Sequence, residues 1–182
     1  MENVNLDIIW NGCLVGDRKA QFELYQQFSA KMFGVCLRYA QSSDEAEDIL
    51  QTGFIKVFSK CKLYDSKGSL EGWIRRIMVN TAIEAHRRNK VAFLESLNEQ
   101  HHFIETNSGS SDENIHYQDL LRLVTTLPIG YRTVFNMYAI EGYSHKEIAA
   151  MLDISEGNSK SQLSRARQWL KDKLVQIENL TS

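Results

Sequence analysis

Apolar residues recur along this chain at spacings of three and four, between few breakers, which predicts an all-helical fold. The first helix is expected near Leu6–Val15 and the second near Lys19–Ala40. In the second, Phe22, Tyr25, Phe28, Met32, Phe33, Val35, Cys36 and Tyr39 supply an apolar stripe best read as core. A third helix follows in SSDEAEDILQTGFIKVFSK, opened by a capping box of Ser42 and Glu45. Its stripe is Ala46, Ile49, Leu50, Gly53, Phe54 and Val57. A fourth, SLEGWIRRIMVNTAIEAHRRNK, carries a buried seam of Trp73, Ile74, Ile77, Met78, Thr81, Ala82 and Ala85. Further on, Leu120, Leu121, Val124 and Leu127 form one stripe and Val134, Phe135, Met137, Tyr138 and Ile140 another. Pro128 stands where it can start the second of these helices, and Gly142 ends it. Ser144 and Glu147 make a second capping box for a short helix, Lys146–Leu152. After the turn LDIS, Ser155 caps a last helix, Glu156–Val175.

Charge divides this helical chain. Residues 91–121 hold no Lys or Arg but carry Glu95, Glu99, Glu105, Asp112, Glu113 and Asp119. Their middle, ETNSGSSDEN, is polar, small and turn-prone. Residues 92–116 are therefore expected to be a flexible acidic linker, with a short helical turn around VAFLESL. It separates an N-terminal helical domain (1–91) from a C-terminal one (117–182). The 182 residues, 43% of them hydrophobic, suffice for one or two small domains with cores. The cysteines, Cys13, Cys36 and Cys61, lack metal or redox spacing and read as buried thiols in a reducing cytosol. The start, MENVNLDIIWNG, has no signal-peptide pattern, and no apolar run approaches the roughly 20 residues that cross a bilayer. A soluble, cytoplasmic protein is expected.

Two outer faces in the N-terminal domain are open to more than one account. Asp44, Asp48, Gln51 and Ile55 share a face of the third helix, which suits either solvated surface or a protein contact. Arg76, Asn80 and Arg87 share the outer side of the fourth. The helix dipole accounts for the cations of its HRRNK end but not for Arg75 and Arg76 near its start. A basic helix of this kind suits a phosphate-facing surface.

In the C-terminal domain, a short helix, a tight turn and a longer basic helix are the parts of a helix-turn-helix, although an ordinary three-helix bundle has the same pattern. Residues 155–173 hold Lys160, Arg165, Arg167, Lys171 and Lys173 against Glu156 and Asp172, in a chain of net charge −2. Leu163, Ala166, Trp169 and Leu170 lie on the packing side. Gly157, Asn158, Ser159, Ser161 and Ser164 are small enough to let the helix sit deep in a groove, from which Lys and Arg reach base edges or phosphates.

The segment LPIGYRTVFNMYAIEGYSHKEIAAMLDISEGNSKSQLSRAR closely resembles the DNA-binding domain of bacterial RNA polymerase sigma factors. DEAEDILQTGFIKVFSK with GSLEGWIRRIMVNTAIEAHRR resembles their core-binding and promoter-melting domain. The two-domain plan is similar to the extracytoplasmic-function (ECF) group. The resemblance implies a transcription initiation factor that binds core polymerase and recognises −35 and −10 promoter elements, without a cofactor or catalysis of its own. It implies that Asp44, Asp48, Gln51 and Ile55 dock on the clamp helices of polymerase. It assigns Lys67, Ser69, Arg75, Arg76, Asn80 and Arg87 to the −10 element, where the loop YDSKGS would hold a flipped base. Lys160, Ser161, Ser164 and Arg165 become base-side candidates at the −35 element, and Asn158, Arg167, His145 and Lys146 phosphate-side ones. Trp73 is expected in the core rather than stacked on a base. The linker would run toward the polymerase active centre as an RNA-like polyanion, and an anti-sigma factor is an expected partner. One departure is Ser159, where the family often has an apolar residue.

Two other classes of function are open to such a chain. A stand-alone helix-turn-helix regulator would bind duplex tightly without polymerase. An enzyme is disfavoured. Of His86, His101, His102, His116 and His145, the pair in the linker lacks the spaced partners of a metal site, and no phosphate loop or nucleophile elbow is present.

Overall fold

Every regular element among the described residues of the computed structural model, 2–88 and 122–181, is a helix. The expected linker at 92–116, its VAFLESL turn, Leu120 and Leu121 lie outside the described residues. The chain separates into two units, Met1–Ala85 and His86–Ser182. In the first are α1 (Glu2–Leu14), α2 (Arg18–Leu37), α3 (Ser43–Ser59), a 3₁₀ turn (Cys61–Leu63) and α4 (Leu70–Arg88), whose last turn crosses the division. In the second, residues 122–125 are helical and are followed by α5 (Ile129–Phe135), α6 (His145–Leu152) and α7 (Glu156–Thr181).

Helix entry in the first unit is set by side-chain caps. The Asp17 carboxylate accepts the Lys19 N–H at 2.8 Å at the start of α2. Ser42 Oγ accepts the Glu45 N–H at 3.1 Å at the start of α3. The second half of the expected capping box is displaced by one residue: the Glu45 carboxylate takes the N–H of Gln41, at 2.6 Å, rather than that of Ser42. All six residues of the expected α3 stripe are buried. Glycines permit two close helix approaches here. A Cβ on Gly12 would come 2.5 Å from the Ala20 Cβ, and one on Gly53 would come 2.2 Å from the Met78 sulfur. The missing Cβ at these positions leaves room for the Ala20 methyl group and for the Met78 side chain.

Three expectations for the first unit need correction. Phe22 is 59% exposed, because it lies off the arc that Leu24, Phe28, Met32 and Val35 share on α2. The α4 seam is shifted: Ile74, Met78, Thr81 and Ala82 are buried as expected, joined by Val79 and Ile83, whereas Ile77 and Ala85 are only half-buried. Trp73 is also half-buried, and packs in an aromatic cluster instead of the helix seam.

The core of the second unit is built from Leu123, Val124, Leu127, Ala166 and Leu170, with Tyr131, Phe135 and Trp169 against it. Pro128 occupies the cap position before α5. The end of α5 departs from the expected stripe. Asn136–Ile140 forms a π-helical turn, with the Glu141 N–H bonded to the Asn136 carbonyl at 3.0 Å. The extra residue in that turn shifts the register, so Met137 is buried while Tyr138 is turned out, 37% exposed. Gly142, at φ +78°, reverses the chain.

The α6 capping box is complete: Ser144 Oγ receives the Glu147 N–H, and the Glu147 carboxylate receives the Ser144 N–H at 2.8 Å. Ser155 Oγ accepts the Asn158 N–H at 3.1 Å at the start of α7. Between the two helices Asp153 is left-handed, φ 57° and ψ 49°. Asp tolerates that conformation better than most side chains, and a β-branched one tolerates it poorly. Asp153→Ile should therefore lower stability by about 1–2 kcal/mol, read as a fall in the thermal unfolding midpoint. An unchanged midpoint would mean that the turn relaxes at no cost.

Candidate nucleic-acid interfaces

Helices α6 and α7 with their left-handed turn form a helix-turn-helix. Along α7, Lys160, Ser164, Arg167 and Lys171 follow helical spacing. With His145, Leu163 and Gln168 they line one open cleft of about 410 Å³. Of the eight residues expected to meet the −35 element, this cleft gathers His145, Lys160, Ser164 and Arg167. Lys146, Asn158, Ser161 and Arg165 are exposed outside it. Asn158 Oδ1 accepts from the side chain of buried Gln162 at 3.1 Å. Arg165 Nη1 lies 3.4 Å from the Tyr131 hydroxyl, a long contact that leaves the guanidinium able to swing. The cation pattern of α7 thus resolves into a cleft row and a neighbouring row around Arg165. Lys173 belongs to neither, since its ammonium lies 3.3 Å from Gln176 Oε1 and over the Trp169 ring.

Two further residues shape this surface: Tyr138, which periodicity assigned to packing, and Ser159, which was expected among the small groove-facing residues but is buried. Tyr138 stacks on the His145 ring with centroids 4.6 Å apart, and the Arg167 guanidinium carbon lies 5.8 Å from the Tyr138 ring centre. Ser159, the departure from the family pattern, is fully buried, and its Oγ lies 2.9 Å from His145 Nδ1. The polar residue is accommodated by a hydrogen bond.

In the first unit the candidate base-holding loop precedes α4. The Tyr64 hydroxyl donates to the Gly68 carbonyl at 2.5 Å, which closes the loop on itself. Beneath it Trp10, Tyr64 and Trp73 form an aromatic triangle with centroids 5.5, 5.7 and 5.6 Å apart. Ser66 is left-handed at φ 60°, and Asp65 accepts the Lys67 N–H and pairs with its ammonium at 3.2 Å. Ser69 Oγ accepts the Gly72 N–H at 3.1 Å, so this candidate also caps α4. Arg76, Asn80 and Arg87 share a face of α4; Arg76 and Arg87 are exposed, Asn80 is half-buried, and Arg75 is half-buried to one side. Trp10 and Tyr64 escape a pattern reading because their partners lie on other elements. Tyr64→Phe, which removes only the loop-closing bond, should release about 1 kcal/mol of local stability. Amide exchange at Lys67 should then rise roughly fivefold, and unchanged exchange would show that the bond does not hold the loop.

On α3, Asp44, Asp48, Gln51 and Ile55 are all exposed, and Ile55 shows 68% of its surface to solvent between polar neighbours. The three cysteines are buried. Burial pushes Cys13 up to about 11 and Cys36 up to about 12, so neither is a thiolate near neutral pH. No helix among the described residues is long and apolar enough to cross a membrane.

Comparison with known proteins agrees with this anatomy. The family model for sigma-70 region 2 matches residues 24–91, and that for sigma-70 region 4 matches residues 117–170. An ECF RNA polymerase sigma factor, SigE of Mycolicibacterium smegmatis, is 29% identical over 164 residues, covering 88% of this chain and 63% of its own length. The ECF RNA polymerase sigma-E factor of Escherichia coli K12 is 27% identical over 172 residues, covering 87% of this chain and 88% of its own. Among solved structures, the sigma factor RpoE from Bartonella quintana, crystallised with the anti-sigma factor NepR, superimposes with a TM-score of 0.51 at 22% identity. That match covers 84% of this chain and 96% of the other and shows a shared fold. With both sigma-70 regions present in order and ECF factors as relatives along most of its length, the chain belongs to the sigma-70 family as an ECF RNA polymerase sigma factor, a promoter-specific transcription initiation factor.

Proposed function

We propose that residues 1–91 bind core RNA polymerase and the −10 element, that residues 117–182 bind the −35 element, and that residues 92–116 tether the two. The observation that carries this reading is the basic cleft on α7, all but Lys171 of it within the region 4 match, in a chain whose formal net charge is −2. A local cation cluster on the second helix of a helix-turn-helix suits a major groove and its phosphates. The exposed Ile55 with its acidic neighbours on α3 suits a protein partner, the clamp helices of polymerase. The strapped loop at Tyr64–Ser69 and the cations of α4 suit an unpaired non-template strand. The chain acts where polymerase acts, in the cytoplasm, and has no catalysis of its own. That the RpoE factor of Bartonella quintana forms a complex with an anti-sigma factor supports an anti-sigma partner for this chain as well.

The test is reconstitution. The purified full chain is mixed with sigma-free core polymerase from its own source, and transcripts from fragmented genomic DNA are sequenced. Discrete new start sites sharing two upstream elements are expected. No stable complex and no new starts, with specific duplex binding by the protein alone, would favour a stand-alone regulator.

A further inference from the structure

His145 stands at the start of α6 and is held from two sides. Its Nδ1 is 2.9 Å from Oγ of Ser159, which is fully buried on α7. Its ring lies on Tyr138, 4.6 Å between centroids and 21° from parallel, where the π-helical turn has placed that side chain. With Nδ1 committed to a buried partner, Nε2 is at the opposite edge of the ring, and the residue lines the cleft with Lys160, Ser164, Arg167 and Lys171. An imidazole held in this way has one free edge and one orientation. In a cleft of cations, the chemical group that fits that edge is an anionic oxygen.

We propose that Ser159 and Tyr138 are positioning residues which orient His145 so that Nε2–H donates to a DNA backbone phosphate seated in this cleft. The inference rests on the proposed −35 role of the second unit. A phosphate opposite Nε2 requires a proton there. In the neutral ring Nδ1 then accepts from the Ser159 hydroxyl; in the imidazolium Nδ1–H donates to the same oxygen. Either form keeps the Ser159 bond and presents a donor to the phosphate. The same Tyr138 ring lies 5.8 Å from the Arg167 guanidinium carbon, so one aromatic surface steadies two phosphate-facing groups. Ser159 thus has a use at a position that packing alone would leave apolar. It fixes a neighbouring donor at the cost of a buried hydroxyl, which its hydrogen bond offsets.

The experiment uses holoenzyme on a promoter identified by the reconstitution above, so failure of the functional reading is seen first, as an absence of new starts. Binding of Ser159→Ala, His145→Ala and the double variant is then measured on that promoter. Each measurement is repeated on copies in which single −35 phosphates are replaced by uncharged methylphosphonates. Thermal unfolding checks that the fold is kept, and Tyr138→Leu supplies a second variant that keeps an apolar side chain. Ser159→Ala should weaken binding about three- to tenfold, the size expected for one hydrogen-bonded contact. The ranking of promoters with altered −35 bases should not change. The loss should vanish in the His145→Ala background and at one methylphosphonate position. Tyr138→Leu should show the same position-specific coupling. Losses that add at every phosphate, or a Ser159→Ala holoenzyme that binds like wild type, would overturn the proposal.

Discussion

Reversing the charge of Asp48 is expected to cripple holoenzyme assembly while leaving the fold intact. Asp48 is exposed on α3, outside the buried stripe of Ala46, Ile49, Leu50, Gly53, Phe54 and Val57. It lies beyond the first turn, where Asp44 and Glu45 already complement the helix dipole, so losing its charge there changes little. A surface substitution of this kind shifts stability by about 0.5 kcal/mol or less. The same change in a docked interface is different. Asp48 neighbours Asp44, Gln51 and exposed Ile55, and closing a partner over an apolar anchor removes water from the charges around it. A lysine there places a desolvated like charge against whatever cation the acid met. Asp48→Lys should weaken binding to core polymerase by about 2–5 kcal/mol, roughly 30- to 5,000-fold. Titration of labelled protein with core polymerase measures this directly, with the thermal midpoint as control. Unchanged affinity with the fold intact would remove Asp48 from the interface.

The parts of this protein that periodicity made legible are those whose burial depends on one helix alone. The α3 stripe is complete because its helix presents a single face to its neighbours, and a 3.6-residue repeat reports that directly. The Ser144 and Ser155 caps are legible for the same reason, since their partners are three residues away. The failures begin where a side chain depends on another element. Trp73 starts an apolar seam, but its partners are Trp10 on α1 and Tyr64 before α4. Tyr138 belongs to an apolar run only while α5 stays α-helical, and the π-helical turn moves it to the surface beside His145. Ser159 was legible as a departure from the family pattern, whereas its bond to His145 required the fold. The candidate surface on α7 divides similarly: the excess of cations is plain in composition, but its separation into a cleft row and an Arg165 row is a matter of helical phase and of what α6 covers.

That division of α7 bears on the largest effect expected at the DNA. Arg165 lies outside the cleft that gathers Lys160, Arg167 and Lys171, and its guanidinium is 3.4 Å from the Tyr131 hydroxyl. The guanidinium is exposed and weakly held, with donors in a planar fork that matches the paired acceptors of a guanine edge in the major groove. The cleft row is suited instead to phosphates, which carry no sequence information. Arg165→Ala should therefore cost about 1–3 kcal/mol of discrimination at one −35 base pair, roughly 5- to 150-fold in relative affinity. Its effect on folding should be small, since the side chain covers none of the Leu123–Leu170 core. Holoenzyme binding is compared across promoters that differ singly at each −35 position, at two salt concentrations. A base contact predicts that preference collapses at one position, with little change in the salt slope. A uniform loss over all promoters, with the slope of log K against log salt shallower by about one, would make Arg165 a phosphate contact. Base reading would then fall to Lys160, Ser161 and Ser164, the other base-side candidates on α7, and the cleft would have to be entered by base edges as well as by backbone.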